Sequence, residues 1–105
     1  MTNYERGAER ERQVVKLLEN AGAVAFRTAG SRSAADVIAL AAGRPPLFVQ
    51  VKCGKRPYKG FSRGERIKLK QMAERGGGVA VLCHWAPRKD PEWIPPEEWP
   101  DSEAA

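Results

Sequence analysis

The sequence predicts an α/β protein, a sandwich with helices on the faces of a central mixed sheet and the element order α-β-β-β-α-β. Two stretches begin with helix-capping residues and carry apolar side chains at helical spacing. Four short apolar segments are separated by glycine, proline and small polar residues, as strands commonly are. All six elements fit within the length of one small domain.

Both predicted helices are marked at their ends and along one face. The first begins at a capping box formed by Thr2 and Glu5 and ends at Gly22. The second begins at a similar box, Ser62 with Glu65, and ends at the three glycines of residues 76–78. The residues expected on the buried faces are Val14, Leu17, Leu18 and Ala21 in the first helix, and Leu69, Met72 and Ala73 in the second.

The predicted strands are residues 23–27, 36–40, 47–52 and 79–83. The Gly-Arg-Pro-Pro turn at residues 43–46 indicates that the second and third strands pair as an antiparallel hairpin.

Residues 1–84 form the predicted domain. Residues 85–105 contain five prolines, which exclude regular helix and central strand, so we expect an irregular acidic tail that Trp93 and Trp99 hold against the same domain.

The charge is distributed unevenly along the chain. Residues 1–90 contain all 18 lysines and arginines and 8 acidic residues, a net charge of +10, whereas residues 91–105 contain 5 acidic residues and no base. So basic a body is typical of a protein that binds nucleic acid, although a basic surface can also serve solubility alone.

No apolar run approaches the ~20 residues of a membrane span. The N-terminus lacks a signal-peptide core, so we expect a cytoplasmic protein.

The two cysteines and the single histidine carry little functional signal. Cys53 and Cys83 lie on segments predicted to be buried, and the paired spacing of a zinc site is absent. We interpret both as structural thiols, and His84 as a residue at the end of a strand rather than a catalytic base.

Asp36, Gln50 and Lys52 are the candidate catalytic residues. Gln50 and Lys52 project from the same face of their strand because they are two residues apart, and the hairpin brings Asp36 beside them. Phosphodiester hydrolysis uses oxygen ligands for Mg²⁺ or Mn²⁺, and a nearby ammonium can stabilise the pentavalent phosphate. Taken alone, the same residues could be an ordinary charged strand edge.

Four motifs in this order resemble the archaeal and related phage Holliday junction resolvases of the PD-(D/E)xK nuclease superfamily. They are residues 7–11 (GAERE), 26–31 (FRTAGS), 35–39 (ADVIA) and 48–52 (FVQVK), and the resemblance covers residues 7–83. It implies a restriction-endonuclease-like nuclease domain and a homodimer that binds four-way DNA in a prokaryotic cell or a phage-infected host. It also implies that the dimer nicks two strands symmetrically, with Mg²⁺ or Mn²⁺ as cofactor.

The resemblance also implies roles for individual residues. The implied active-site residues are Glu9, Asp36, Gln50 and Lys52, with Lys52 as the catalytic lysine and the other three, together with Val51, as metal ligands. The implied phosphate contacts are Arg10, Arg27, Ser31 and Arg32. Periodicity does not single out Glu9, which could be a solvated helix acid, whereas Arg10 continues the apolar stripe of the first helix.

Gln50 departs from the family, which has glutamate at this position. A carboxamide keeps one acceptor oxygen but loses the negative charge that a divalent ion prefers. Either the natural site works with a weaker ligand or the residue is an inactivating substitution, and the otherwise complete motif favours substitution. Two alternative functions stay open: a DNA-binding protein on a nuclease scaffold that no longer cuts, and a nuclease of the same fold that acts on duplex DNA.

The segment from Lys52 to Lys70 is predicted to grip DNA, because it contains eight bases and one acidic residue. Phosphate contacts position a protein on DNA without reading its sequence, which suits an enzyme that recognises junction shape. A solvated basic loop would have the same composition. The DNA-binding residues expected in this segment are Lys55, Arg56, Lys59 and Arg63.

Overall fold

The computed structural model describes residues 2–28 and 33–102 and has the predicted mixed α/β architecture. Its elements are α1 (Asn3–Asn20), β1 (Val24–Arg27), β2 (Val37–Leu40), β3 (Leu47–Cys53), α2 (Arg63–Arg75), β4 (Val79–Trp85), β5 (Glu92–Ile94) and a 3-10 helix (Pro96–Glu98). The strands form one five-stranded sheet in the order β1-β2-β3-β4-β5. Strands β3 and β4 are parallel and all other neighbours are antiparallel, so the predicted hairpin is confirmed as the β2–β3 pair.

The predicted capping residues begin both helices. The Thr2 hydroxyl accepts from the Glu5 N–H at 3.1 Å in α1. In α2, Ser62 and Glu65 form both halves of a capping box. These contacts satisfy backbone donors that have no partner inside the helix.

The buried face of α1 differs from the prediction at two positions. Val14 is fully buried and Leu18 is packed against the core, but Leu17 is 40% exposed and Ala21 is exposed. A helix turns by about 100° per residue, so the side chain one turn after Val14 falls between positions 17 and 18. The sheet lies on the side of Leu18, which periodicity alone could not decide.

The sheet separates two apolar clusters. On the α2 side, Phe48 and Leu82 of the sheet pack with Leu69 of the helix. On the α1 side, Val49 and Val81 pack with Val14. Residues Phe48–Val51 of β3 are covered on both faces, and the strand becomes accessible from Lys52 onward.

The connection from α2 to β4 passes close to the start of β3. Val79 N–H donates to the Pro46 carbonyl at 2.8 Å, and a Cβ atom on Gly78 would collide with that same carbonyl. The glycine therefore allows β4 to lie parallel to β3, which puts the C-terminal ends of both strands at the same edge of the sheet.

The tail is more regular than predicted. Residues 92–94 form the edge strand β5 on β4, between Pro91 and Pro95, and a 3-10 helix follows. An edge strand needs backbone donors on one side only, so flanking prolines are compatible with it. Trp99 is buried against Phe61, as its predicted anchoring role requires, whereas Trp93 is exposed. The predicted boundary after residue 84 falls within β4.

No helix within residues 2–28 and 33–102 is both long enough and apolar enough to cross a bilayer.

Candidate active site

Asp36 lies immediately before β2, where that strand begins to pair with β3. Its N–H donates to the Val49 carbonyl at 2.8 Å, and its Oδ2 accepts from the Val51 N–H at 2.9 Å. The register pairs Val37 with Val49, so its continuation by one residue brings Asp36 opposite Gln50. The strand that carries the other candidate residues therefore fixes this carboxylate.

Burial raises the pKa of the Asp36 carboxyl from 3.8 to about 6. Loss of solvation is the largest cause, and the negative charges of Glu11 and Glu65 raise the pKa further. The hydrogen bond from Val51 and the positive charge of Lys52 lower it. A carboxyl group whose pKa is shifted toward neutrality by burial and by specific charged neighbours is typical of a functional site.

Gln50 and Lys52 share one face of β3, as their spacing predicts. Gln50 is buried, whereas Lys52 is partly exposed. A Cβ atom on Gly60 would lie 3.7 Å from Lys52 Nζ, so the loop that follows β3 returns to pass beside this ammonium. The structure thus brings Asp36, Gln50 and Lys52 together at one edge of the sheet.

Glu11 is the acidic residue of α1 whose charge acts on Asp36, and Glu9 is not. Glu11 Oε1 is 3.0 Å from Arg27 Nε, with the two side chains only 20% and 32% exposed, and the Glu11 charge raises the pKa of Asp36. Glu9 forms an exposed pair with Arg12 at 3.7 Å. The ligand role expected for Glu9 therefore has no geometric support among the described residues.

Helical spacing contained a signal for Glu11. Glu11 precedes Val14 by three residues and Leu18 by seven, so it lies on the face of α1 that packs on the sheet. Glu9 precedes Val14 by five residues, which turns it about 140° away from that face. An acidic residue on a buried face is the less common case, and it marks a site more specifically than an exposed acid does.

Val51 can contribute a backbone oxygen to the site. Its N–H points toward Asp36, and the C=O of a strand residue points to the same side as its N–H. The paired part of β2 ends opposite Val49, so β2 does not pair with Val51. The metal-ligand role that the family resemblance implies for Val51 stays a prediction.

The oxygen atoms gathered at this edge suit a hard divalent ion such as Mg²⁺ or Mn²⁺. They belong to the carboxylates of Asp36 and Glu11, the amide of Gln50 and the backbone of Val51. Within residues 2–28 and 33–102, no three His, Cys, Asp or Glu side chains group together as metal ligands. The donor set therefore depends on the neutral oxygens of Gln50 and Val51.

Two of the predicted phosphate contacts lie near this edge but already have protein partners. The Arg10 guanidinium lies 4.5 Å from the centroid of the Trp85 ring and donates to Gln13 Oε1 at 2.8 Å. Arg27 holds the α1 carboxylate described above. Two further predicted contacts, Ser31 and Arg32, lie outside the described residues.

The loop between β3 and α2 exposes three of the cations predicted to bind DNA. These are Lys55, Arg56 and Lys59. The loop begins at Gly54, whose N–H donates to the Trp85 carbonyl at 3.0 Å, and it ends at Phe61, whose side chain is fully buried. Both ends of the loop are therefore fixed to the core while its cations face solvent.

Two arginines at the start of α2 bind the tail. Arg63 Nε donates to the Asp101 carbonyl at 2.8 Å, although the residue is otherwise exposed. Arg66 is buried, and its guanidinium donates to the backbone carbonyls of Phe61, Pro100 and Ser102. Arg66 is therefore structural, and the DNA contact expected of Arg63 would compete with the Arg63–Asp101 bond.

The two cysteines and His84 differ in burial and in their contacts. Cys83 is buried, and burial raises the pKa of its thiol to about 12, which agrees with a structural thiol. Cys53 is exposed, so the prediction that it is buried was wrong. His84 lies inside β4, which extends one residue further, and it is buried with its Nε2 2.6 Å from the Gly54 carbonyl oxygen.

Two comparisons with known proteins identify the family of this chain. Residues 2–104 match the family model of the archaeal Holliday junction resolvases, Hjc. The chain is also similar to the solved structure of Hjc, a Holliday junction resolvase from the archaeal hyperthermophile Archaeoglobus fulgidus, with a TM-score of 0.75 and 28% sequence identity. That similarity covers 88% of this chain and 74% of the other, and it confirms the predicted restriction-endonuclease-like fold. Because the family model matches nearly the whole length, the chain belongs to the archaeal Holliday junction resolvase family.

Proposed function

We propose that the protein is a divalent-metal-dependent endonuclease that resolves four-way DNA junctions with residues at the C-terminal end of β3. Family membership makes the chain a junction-resolving nuclease. Metal dependence, the catalytic residues and their individual roles go beyond what family membership gives. The observation that carries the proposal is the half-buried Asp36 carboxylate, which is hydrogen-bonded to Val51 and lies within electrostatic reach of Glu11 and Lys52.

The residues of this cluster have separate tasks. The metal ligands in the proposal are the carboxylates of Asp36 and Glu11, the amide oxygen of Gln50 and the carbonyl of Val51. A bound Mg²⁺ or Mn²⁺ supplies charge stabilisation on the phosphate and acidifies a water molecule. Arg27 orients Glu11 through their ion pair, and the Lys52 ammonium stabilises the negative charge that develops on the phosphate.

The loop cations extend this site along the DNA backbone. Lys55 and Arg56 follow Lys52 by three and four residues and are exposed, so phosphates on either side of the cut can reach them. Such contacts read backbone position rather than base sequence. The arrangement suits a substrate that is recognised by the shape of its arms.

We also propose that the active form is a homodimer. The described part of one chain contains one such cluster, whereas resolving a junction requires cuts in two strands. Val24, Phe26 and Leu40 are exposed apolar residues on one face of the β1–β2 pair, beyond the area that α2 covers. A second copy that packs on this face by two-fold symmetry would bury it and would provide the second active site. A Phe26→Lys substitution should shift the sedimentation coefficient from dimer to monomer.

The alternative is a junction-binding protein of the same family that no longer cuts, and Gln50 is the observation that favours it. Binding relies on the loop and would survive the absence of a charged ligand at position 50. The two functions differ in one measurement, the Mg²⁺-dependent appearance of nicked strands.

The test is incubation with end-labelled four-way and linear duplex DNA of the same sequences, with Mg²⁺, with Mn²⁺ and with chelator. We expect paired nicks near the branch point of the junction only, and only with metal. Metal-independent nicking would contradict the proposed role of the carboxylates. Equal cutting of the linear duplex would show that the substrate is duplex DNA rather than the junction.

A further inference from the structure

His84 is a buried polar side chain that the proposed chemistry does not use. It is 4% exposed and lies in β4 directly opposite Lys52 in the parallel register. Its Nε2 is 2.6 Å from the Gly54 carbonyl oxygen. A carbonyl can only accept, so Nε2 carries the proton and donates in this contact. The ring of His84 is thus tied to the backbone of the residue that begins the loop.

Gly54 is bound to β4 through both of its backbone polar groups. Its carbonyl accepts from His84, and its N–H donates to the Trp85 carbonyl at 3.0 Å. Its φ of +118° is a conformation that residues with a side chain rarely adopt, and it turns the chain out of the sheet after Cys53. The direction in which the loop leaves β3 therefore depends on these two hydrogen bonds with β4.

The loop connects this anchor to the DNA-binding cations and to the catalytic lysine. Lys55 follows Gly54 directly and, together with His84 and Lys89, lines a cavity of about 500 Å³. Gly60, near the other end of the loop, passes beside Lys52 Nζ. A change in the path of the loop would therefore move mainly the phosphate-binding cations, and it would alter the surroundings of Lys52 to a smaller extent.

We propose that His84 is a positioning residue that holds the loop of residues 54–61 in its DNA-binding conformation through the Gly54 carbonyl. The inference rests on the proposed function, because it takes this loop as the DNA-binding segment. Without the anchor, the loop samples more conformations, and its cations meet phosphates at the same moment less often. The effect should appear mainly in junction affinity and its salt dependence, and only weakly in the rate of the bound complex.

The first experiment compares His84→Leu with His84→Gln, whose side-chain amide can still donate to the Gly54 carbonyl. Binding to a fluorescent four-way junction is measured in chelator across a salt series, so that no cutting is required. For His84→Leu we expect about tenfold weaker binding and a salt slope flatter by about 0.9 for each phosphate that the loop no longer neutralises. His84→Gln should bind within about twofold of the unchanged protein and keep its slope, since the donor is retained. Should His84→Leu not fold, His84→Asn, whose shorter amide does not reach the carbonyl, replaces it.

The second experiment asks whether His84 acts through the loop. His84→Leu is combined with Lys55→Ala, Arg56→Ala and Lys59→Ala, and the four proteins of this double-mutant cycle are compared. The inference expects that His84→Leu costs little further affinity once the cations are gone. An equal decrease in both backgrounds, or unchanged affinity and slope in His84→Leu itself, would overturn it. If the unchanged protein does not bind the junction at all, the proposed function fails instead, and the two failures are thereby distinguished.

Discussion

The end of β3 and the loop that follows it are adjacent in sequence, yet they differ in both burial and charge. Gln50 of β3 is buried and Asp36, opposite it, is half-buried, so the pKa of Asp36 is raised to about 6. A few residues later, Lys55 and Arg56 are exposed. Metal ligands benefit from a fixed position and low hydration, whereas phosphate binding needs cations that DNA can reach. We infer that the residues for catalysis precede Gly54 in the strand and that the residues for phosphate binding follow it in the loop.

The start of α2 shows that positive charge alone does not identify a binding surface. Arg66 is part of the same basic segment, yet it is buried and satisfied by carbonyl groups. Lys59, seven residues earlier, is exposed. Position relative to the core, rather than composition, decides which cations are available to DNA.

The largest effect should come from Asp36→Asn, made in a Gln50→Glu background so that the starting rate is high. We expect cutting of the junction to fall by at least about 1000-fold, because a metal-binding carboxylate is removed. Junction affinity measured in chelator should stay within a few-fold. Quantified nicking and gel-shift titration check both expectations, and abolished binding in a folded variant would show that chemistry and binding are not separate.

Gln50→Glu alone should raise the Mg²⁺-dependent nicking rate by about 100-fold, since the site regains a charged ligand worth about 3 kcal/mol of transition-state stabilisation. Single-turnover nicking of a four-way junction is the measurement. Gln71→Glu, the same change at an exposed residue of α2, is the matched control. Equal rates before and after Gln50→Glu would show that residue 50 is not a metal ligand.

Neutralising the loop with Lys55→Ala, Arg56→Ala and Lys59→Ala should weaken junction and duplex DNA alike by about 10- to 100-fold at low salt. Each phosphate that is no longer neutralised should flatten the plot of log affinity against log salt by about 0.9. The control carries the same change in net charge at Lys16, Arg44 and Arg75, which are exposed and lie outside the segment predicted to bind DNA. If the control weakens binding as much as the loop variant does, net charge rather than loop position governs binding.

The half-buried carboxyl of Asp36 should make the free energy of unfolding depend on pH. The folded-state pKa of Asp36, about 6, lies above its ordinary value of 3.8, so the folded protein holds the proton more tightly than the unfolded chain does. The contribution of the protonated Asp36 to the free energy of unfolding is complete below about pH 4, and it is lost as pH rises through 6. Asp36→Asn should therefore be more stable than the unchanged protein at pH 7 without metal, by about 1–3 kcal/mol. Urea unfolding at pH 4 and pH 7 tests this, and an equal difference at both pH values would contradict it.

The smallest effect should come from the acidic tail. Its backbone contacts the loop, since Tyr58 Oη donates to the Glu98 carbonyl at 3.3 Å, and Arg63 binds the Asp101 carbonyl. Changing Glu97, Glu98, Asp101 and Glu103 to their amides should tighten duplex binding a few-fold at low salt. The gain should shrink above ~0.15 M salt, where the Debye length falls below about 8 Å. Unchanged duplex and junction affinities would assign the tail a structural role only.

Local sequence signals were sufficient to predict the hairpin, both capped helices and the convergence of Asp36, Gln50 and Lys52. These follow from local rules: turn residues specify a hairpin, and residues two apart on a strand share a face. The hairpin and the strand spacing were enough to bring these three side chains to one edge before any packing was known.

Two features depended on how distant segments pack together: which strand residues the buried face of α1 meets, and which cations stay exposed. Glu9 and Glu11 belong to the same motif, but the sheet packs on the side of Val14 and Leu18, and that choice brings Glu11 to Asp36. The tail likewise occupies Arg66 and leaves the loop cations exposed. Both outcomes depend on interactions between segments distant in sequence, such as Arg27 with Glu11. Helical spacing puts Glu11 on the buried face of α1, but it does not say which strand residues that face contacts.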